Sequence, residues 1–402
     1  KEYRRQRQMC IRDRYAGMEE EAAKNSLLPA ILWRNSVDTA KIFCVNGDYL
    51  ADISAVGILD AMMGETYDYD IYPVINAQNL VIADLPTFVS ENEEEMQKRY
   101  SQSAQAVYQE IVWPSLTSIA SRTGAKMTCM MTPQFTYTDE EEPDGENVTY
   151  YLKRLKEEHA EAGLSADSME GIPLSEKIKQ DQTFWQTYAP SYRFLSLYAD
   201  GVKSIGEKSA LPAEIRTVAL GSGTSGQAVG YLNENVTLQP STSSGIRHTF
   251  LDDFKVKCME TALGYSNITL DFYSVTYPEG DEDSWEKMSK KIAANLGTYW
   301  KAYEAFDATT LTESDVRIRR FLALDYKQQR AGNVITLSLE HREDAAWFLL
   351  RLHGEKVTEV AGGSFEEIED GVYLILAEED EVSVEVQNGE TWQYQDLSLI
   401  HI

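Results

Sequence analysis

Histidine and cysteine are scarce: five and four in 402 residues. No two histidines stand four apart, as in HExxH, and no CxxC pair occurs, so the spacings of a helix-borne zinc site, a structural zinc site and a disulfide framework are all missing. Basic residues are few as well. There are 37 Lys and Arg against 65 Asp and Glu, a net charge of −28. That field repels phosphate backbones and anionic lipid headgroups, which excludes a phosphate-tracking nucleic-acid binder and gives no electrostatic hold on a membrane. No apolar run approaches the roughly 18 residues of a spanning helix. What is present is a large apolar fraction, 43%, which excludes wholesale disorder, and 23 tyrosines.

Both ends read as nucleotide sequence before they read as protein. Arg4 to Asp13 is what one frame of a common transposon sequencing adapter encodes, and Leu397 to Ile402 is what the reverse complement of its last segment encodes. Residues 1–14 and 397–402 are therefore expected to be adapter-derived and no part of the fold. The authentic span would be Tyr15 to Asp396, with Cys44, Cys129 and Cys258 its only cysteines. A fragment cut at both ends would have lost any signal peptide or anchor.

Within that span, Lys41–Val45 forms a compact apolar strand followed by the turn residues Asn46-Gly47-Asp48. A helix is expected from about Asp52, with Ile53, Val56 and Leu59 on one stripe. Asp70–Asn76 reads as a strand, 92–122 as a helix kinked at Pro114, 125–132 as a strand, and 150–162 as a helix stopped at Gly163. The aromatic-rich stretch 174–198 reads as mostly helical, interrupted at Pro190. Strands follow at 214–220, 236–238 and 267–275, and helices at 284–305 and from Thr312. Alternation from 41 to 325 predicts an α/β fold with a mainly parallel sheet. After Gly332, four short strands separated by Gly, Asp, Glu and Asn turns predict a small all-β, sandwich-like domain. The domains are set at 15–330 and 331–396.

Asp48 lies just beyond a buried-looking strand, where α/β folds place ligands, and its carboxylate suits a base or a metal ligand. Asn46 shares its turn. His248 stands in Gly245-Ile246-Arg247-His248-Thr249, with Asp252 and Asp253 just after. A His beside two carboxylates suits a divalent cation or an acid–base set. Glu214, Asp271, Glu279 and Asp281 fall at or near strand ends, where two of them would serve as the paired carboxylates of a glycosidase. Gly221–Gly226 is Gly-rich but lacks the Lys-Ser/Thr ending of a P-loop, and reads as a flexible turn. The tyrosine load fits a sugar-binding cleft, since aromatic faces pack on pyranose rings while acids take the hydroxyls.

The order of these segments resembles a known family. It runs from Lys41-Ile42-Phe43-Cys44-Val45-Asn46-Gly47-Asp48 through Thr261-Ala262-Leu263-Gly264-Tyr265-Ser266-Asn267-Ile268 and the helix with Trp285 and Trp300. It continues with Arg317-Ile318-Arg319-Arg320-Phe321-Leu322 and ends at Ala346-Trp347-Phe348-Leu349-Leu350-Arg351-Leu352-His353-Gly354. The whole is similar to an uncharacterised bacterial family found with exopolysaccharide synthesis and export genes, itself related to polysaccharide deacetylases. The resemblance implies a deformed (β/α)7-like barrel of deacetylase type followed by the β domain. It also implies metal-dependent removal of N-acetyl groups from a sugar polymer, with zinc or another divalent metal activating water.

Asp48 would take the place of that superfamily's first-strand acid. Asp48 and His248 are then the expected catalytic residues, Asp48, His248 and Asp253 the metal ligands, and Asn46, Asp271 and Glu279 the carbohydrate contacts. Polysaccharide and exopolysaccharide export proteins are the implied partners, at an extracytoplasmic or membrane-associated location. The chain departs from the pattern: no second Asp stands beside Asp48, and no His-x-x-x-Ser/Thr-His pair occurs. Either the site is rebuilt or the protein handles glycan without catalysis. A non-catalytic scaffold and a glycoside hydrolase with paired carboxylates are the two alternatives.

Overall fold

The computed structural model describes residues 7–9, 32–37, 40–137, 142–168, 172–200, 211–221, 227–300 and 305–389. They fall into two compact units. The first draws on Lys1–Val74, Lys257–Leu263 and Ala323–Ile402; the second on Ile75–Val256 and Gly264–Leu322. The first strands are β1 (Arg7–Met9), β2 (Leu32–Val37), β3 (Ala40–Val45) and β4 (Tyr69–Val74). The second unit holds β5 (Ala77–Ala83), β6 (Met127–Met131), β7 (Glu161–Ser165), β8 (Ser196–Ala199) and β9 (Thr217–Leu220). It continues with β10 (Gly230–Tyr231), β11 (Thr237–Pro240), β12 (Ser243–Ser244), β13 (Tyr265–Asp271) and β14 (Ala308–Thr309). The first unit is completed by β15 (Asp325–Ala331), β16 (Val334–Glu340), β17 (Ala346–Leu352), β18 (Glu355–Ala361), β19 (Gly363–Glu369), β20 (Val372–Ala377) and β21 (Glu381–Asn388).

The second unit is mixed α/β, built on one curled sheet in the order β10-β11-β9-β8-β7-β6-β5-β13-β12, with β14 also paired to β5. All its pairings are parallel except β10 with β11. Parallel neighbours need crossovers, and helices such as Trp113–Thr123, Val148–Glu157, Leu174–Tyr188 and Trp285–Tyr299 supply them. Strand β5 is buried along its whole length, with apolar residues on both faces and the buried amides Gln78 and Asn79 near its start. Its pleat sends Leu80 and Ile82 to the helix side, among Leu116, Met288 and Leu296. Val81 and Ala83 go to the other face, with Met130, Tyr198, Ala219 and Leu311.

In the first unit, β15-β16-β21-β18 and β19-β20-β17-β4 form two four-stranded antiparallel sheets. Ile71, Ile335, Leu337, Phe348, Leu350, Ile375 and Val384, contributed by both, form one buried cluster. Strand β4 reaches this cluster from the chain ahead of the α/β sheet, pairing with β17 from Tyr69↔Leu352 to Val74↔Trp347. The expected strand 70–76 is therefore real, but it belongs to the antiparallel layer. β2 pairs antiparallel with both β1 and β3 in a separate three-stranded sheet.

Pro114 does not break its helix where the sequence suggests. The interruption falls at Ser101, which takes a left-handed φ of +57°. Tyr108–Val112 then forms a π-helical turn that leads directly into Trp113–Thr123. That wider turn accommodates a ring that would otherwise meet the carbonyl four residues back. Two strands begin inside stretches expected to be helical: Glu161–Ser165 overlaps the end of the expected helix 150–162, and Ser196–Ala199 the end of the largely helical stretch 174–198. Residues 222–226 and residues 138–141 of the acidic loop lie outside the described residues.

Candidate functional site

In parallel sheets the carboxyl ends of the strands are where ligands bind. Here four aspartates follow or close four such strands. Asp84 directly follows β5, Asp167 lies two residues beyond β7, Asp200 directly follows β8, and Asp271 ends β13. All four belong to the second unit. They grade from interior to solvent: Asp84 is 1% exposed, Asp167 is partly buried, and Asp200 and Asp271 are exposed.

Hydrogen bonds tie the inner pair together. Ser165 Oγ donates to Asp84 Oδ1 at 2.6 Å and accepts from the Asp167 backbone N–H at 3.1 Å. The Asp200 backbone N–H donates to Asp167 Oδ1 at 3.4 Å, and Asp271 Oδ1 accepts from the Tyr273 N–H at 2.9 Å. Gly221, just past β9, completes the close packing. A Cβ there would stand 2.7 Å from Asp200 Oδ1 and 2.9 Å from the Tyr198 hydroxyl.

Like charges gathered in a poorly solvated place hold protons. Burial, then the charges of Asp167 and Asp271, push the Asp84 carboxyl well above the usual carboxylate range. Burial, then Asp200 and Asp271, raise Asp167 to about 7. Asp271 is also raised, first by desolvation in its concave surroundings, although solvent reaches it; Arg247 pulls in the opposite direction. Tyr198 is buried among the four, and its phenol is pushed far up, so it stays a neutral hydroxyl at any ordinary pH.

A cation stands behind the cluster. Lys177 of the helix Leu174–Tyr188 has a fully buried side chain whose Nζ donates to Thr132 Oγ1 at 3.0 Å, Tyr137 Oη at 2.6 Å and Asp181 Oδ2 at 2.9 Å. Its charge lowers the proton affinity of both Asp84 and Asp167. Beside Asp271, Tyr273 and Tyr277 stack with ring centres 5.0 Å apart, and Phe135 meets Tyr273 edge-on, also at 5.0 Å. Carboxyls that keep protons near neutrality, beside solvent-facing carboxyl groups and aromatic faces, are the equipment acid–base chemistry requires.

The residues singled out from the sequence fall in different places. Asp271 joins the cluster. Arg247, next to His248, attracts Asp271 and faces Asp283 at 3.7 Å and Glu279 at 4.0 Å. His248 Nδ1 lies 2.6 Å from Ser243 Oγ, and burial lowers its imidazole to about 4, so it is neutral at physiological pH. Asp252 accepts from Thr249 N–H at 2.8 Å and so serves the start of the helix Phe250–Leu263. Asp253 is buried in that helix.

Asp48 and Asn46 are exposed in the turn after β3, and they belong to the first unit, whereas His248 and Asp253 belong to the second. Among the described residues no group of three His, Cys, Asp or Glu is arranged to hold a metal ion. The donor set expected from the resemblance is drawn from both units. Cys129 is buried and Cys44 half-buried, while burial pushes the Cys258 thiol up to about 12, outside the range of a reactive thiolate.

Among the described residues no helix is long and apolar enough to cross a membrane. Residues 19–170 match the profile of a family described as "Uncharacterised protein conserved in bacteria" (DUF2194). No curated protein matches the chain. Among solved structures, a protein described as a polysaccharide deacetylase from Mycobacterium smegmatis is similar at 9% identity and a TM-score of 0.33, covering 60% of this chain and 90% of its own. A glycoside hydrolase/deacetylase from Parabacteroides distasonis is similar at 11% identity and a TM-score of 0.36, covering 69% and 82%. A family 39 glycoside hydrolase from the gut symbiont Bacteroides cellulosilyticus WH2 is similar at 9% identity and a TM-score of 0.32, covering 78% and 81%. These superpositions are too loose to carry over a residue or a reaction.

Proposed function

We propose that this chain is a glycan-handling hydrolase that works with carboxylates, cutting glycosidic bonds at the acidic cluster of the second unit. One observation carries the reading: Asp84, Asp167, Asp200 and Asp271 meet at the carboxyl ends of four parallel strands, and Asp167 holds its proton to about pH 7 at a place solvent reaches. Glycosidic cleavage needs a carboxylic acid to protonate the leaving oxygen and a second carboxylate to activate water or to attack the anomeric carbon. Asp167 takes the first role and Asp271 the second. Ser165, bonded to Asp84, holds the Asp167 loop, the Lys177 charge tunes Asp167, and Tyr273 and Tyr277 offer faces for sugar rings.

The curled parallel sheet is read as the remains of a (β/α)7-type barrel. A place in bacterial exopolysaccharide biosynthesis or export rests on the family resemblance alone. Metal-dependent deacetylation would need ligands that the described residues do not assemble.

The test is a polysaccharide panel assayed in parallel for new reducing ends and for released acetate. Reducing ends that fall by about 10²–10⁴-fold in both Asp167→Asn and Asp271→Asn support the reading, the size expected for loss of an acid or base. Acetate release without new reducing ends overturns it.

A further inference from the structure

The first unit holds a cavity of about 1120 Å³ that the acidic cluster does not use. It opens where two sheets end: β15 and β4 are each the last strand of their sheet. Tyr326, Gln328 and Arg330 alternate along β15 and so share one face of it. The floor is fixed. Asp60 Oδ2 is 3.2 Å from both the Tyr72 hydroxyl and Arg351 Nη2. Arg330 makes a two-pronged bridge to Glu355 at 2.7 and 2.9 Å and lies over the Tyr69 ring at 5.4 Å. The rim is open. Tyr67 is 54% exposed, and Gln328 and Asn388 are exposed beside it.

We propose that this cavity is a saccharide-binding site, separate from the acidic cluster, for a sugar chain bearing no anionic group. Three features choose that class. Tyrosine rings offer flat apolar faces, as pyranose rings require. Planar amides and carboxylates pair with adjacent hydroxyls, since each carries more than one hydrogen-bonding position. Asp60, Asp68, Asp70 and Glu355 outnumber Arg330 and the Arg351 behind Asp60, so the field favours neutral or amino sugars and rejects phosphates and uronates. The volume exceeds the 300–1,000 Å³ of ordinary small-molecule pockets, leaving room for more than one ring. The site does not depend on catalysis at the acidic cluster.

Titration calorimetry on the full chain carrying Asp167→Asn, which removes turnover, tests this. The probes are neutral gluco- and xylo-oligosaccharides, chito-oligosaccharides, glucosamine oligomers and oligouronates. Binding to a neutral or amino-sugar member is expected, weakened at least about tenfold by Tyr67→Ala and by Gln328→Ala at an unchanged melting temperature, and unaffected by Asp84→Asn. Oligouronates should not bind. The proposal falls if no probe binds, if oligouronates bind best, or if binding survives both cavity substitutions and is lost with Asp84→Asn. That last result would leave the acidic-site reading standing. Retained binding with no bond cleavage in the active chain would do the reverse.

Discussion

Ser165 Oγ donates to Asp84 Oδ1 at 2.6 Å, so the end of β7 is pinned to the end of β5 across the intervening β6. The same oxygen accepts from the Asp167 backbone N–H, so one hydroxyl sets the inner carboxylate and the loop that carries the outer one. Both residues are buried, so the bond has no water to replace it. Ser165→Ala should cost about 1–3 kcal/mol, the range for stranding a buried hydrogen-bonded group, read by urea unfolding. It should also lower bond cleavage, because Asp167 loses its anchor. Unchanged stability would mean that the two strand ends are held by something else.

The pH dependence of stability follows from Asp167. In the folded chain its carboxyl keeps a proton up to about pH 7; unfolded, it releases it near the ordinary value of 3.8. Between those values the folded state binds more protons, so stability falls as pH rises through the window and levels off above it. Asp167→Asn removes that loss. The variant should match the parent near pH 4 and be more stable above pH 7 by roughly 1–3 kcal/mol. Thermal melts across the range check this, and a variant less stable at pH 8 would contradict it.

Lys177 makes the opposite case. Its ammonium is buried with Asp181, and removing one partner of such a pair strands the other. Lys177→Met should cost about 3–5 kcal/mol, and adding Asp181→Asn should recover much of it. Losing the cation should also raise the proton affinity of Asp84 and Asp167, moving the alkaline limb of activity upward. A double variant as unstable as the single one would show that the pair matters only as packing.

Gly221→Ala tests the closeness of the cluster. The new methyl would stand 2.7 Å from Asp200 Oδ1 and 2.9 Å from the Tyr198 hydroxyl, both inside van der Waals contact. One of the two must move. Activity should fall by more than about tenfold, while stability changes by only about 1–3 kcal/mol, the usual cost of overpacking. Equal activity would place Asp200 and Tyr198 outside the working site.

The aspartates were hidden in the sequence because the strands carrying them were. Strand β13 is a run of apolar and β-branched residues, and Asp271 at its end was legible. Strand β7 is Glu-Ala-Gly-Leu-Ser, which reads like the tail of a helix. It is a strand because it pairs with β6 and β8, and because Gly163 lets Met130 and Ser196 close on it: a Cβ there would stand 2.4 and 2.5 Å from their side chains. Strand β8 has four residues inside an aromatic-rich stretch that continues a helical pattern. These are tertiary effects that no local propensity reports. Strand β5, seven apolar and amide residues ending at Ala83, was not read as a strand, and the apolar run of β3 drew the first-strand role to Asp48 instead. The helices Ala55–Gly64, Trp285–Tyr299 and Leu311–Ala323, with periodic apolar faces, lie close to where their spacing puts them.

The most direct test of the acidic site needs no substrate. With aspartate carboxyl carbons labelled with ¹³C, their NMR shifts can be followed from about pH 3 to 9 in the parent chain and in Asp167→Asn. A carboxyl that titrates at about 7 and disappears in the variant is the predicted result, with a second raised carboxyl whose titration shifts when Asp167 is replaced. If the carboxyl lost in Asp167→Asn titrates below about pH 5, the carboxyls share no protons and the account of an acid–base site is wrong.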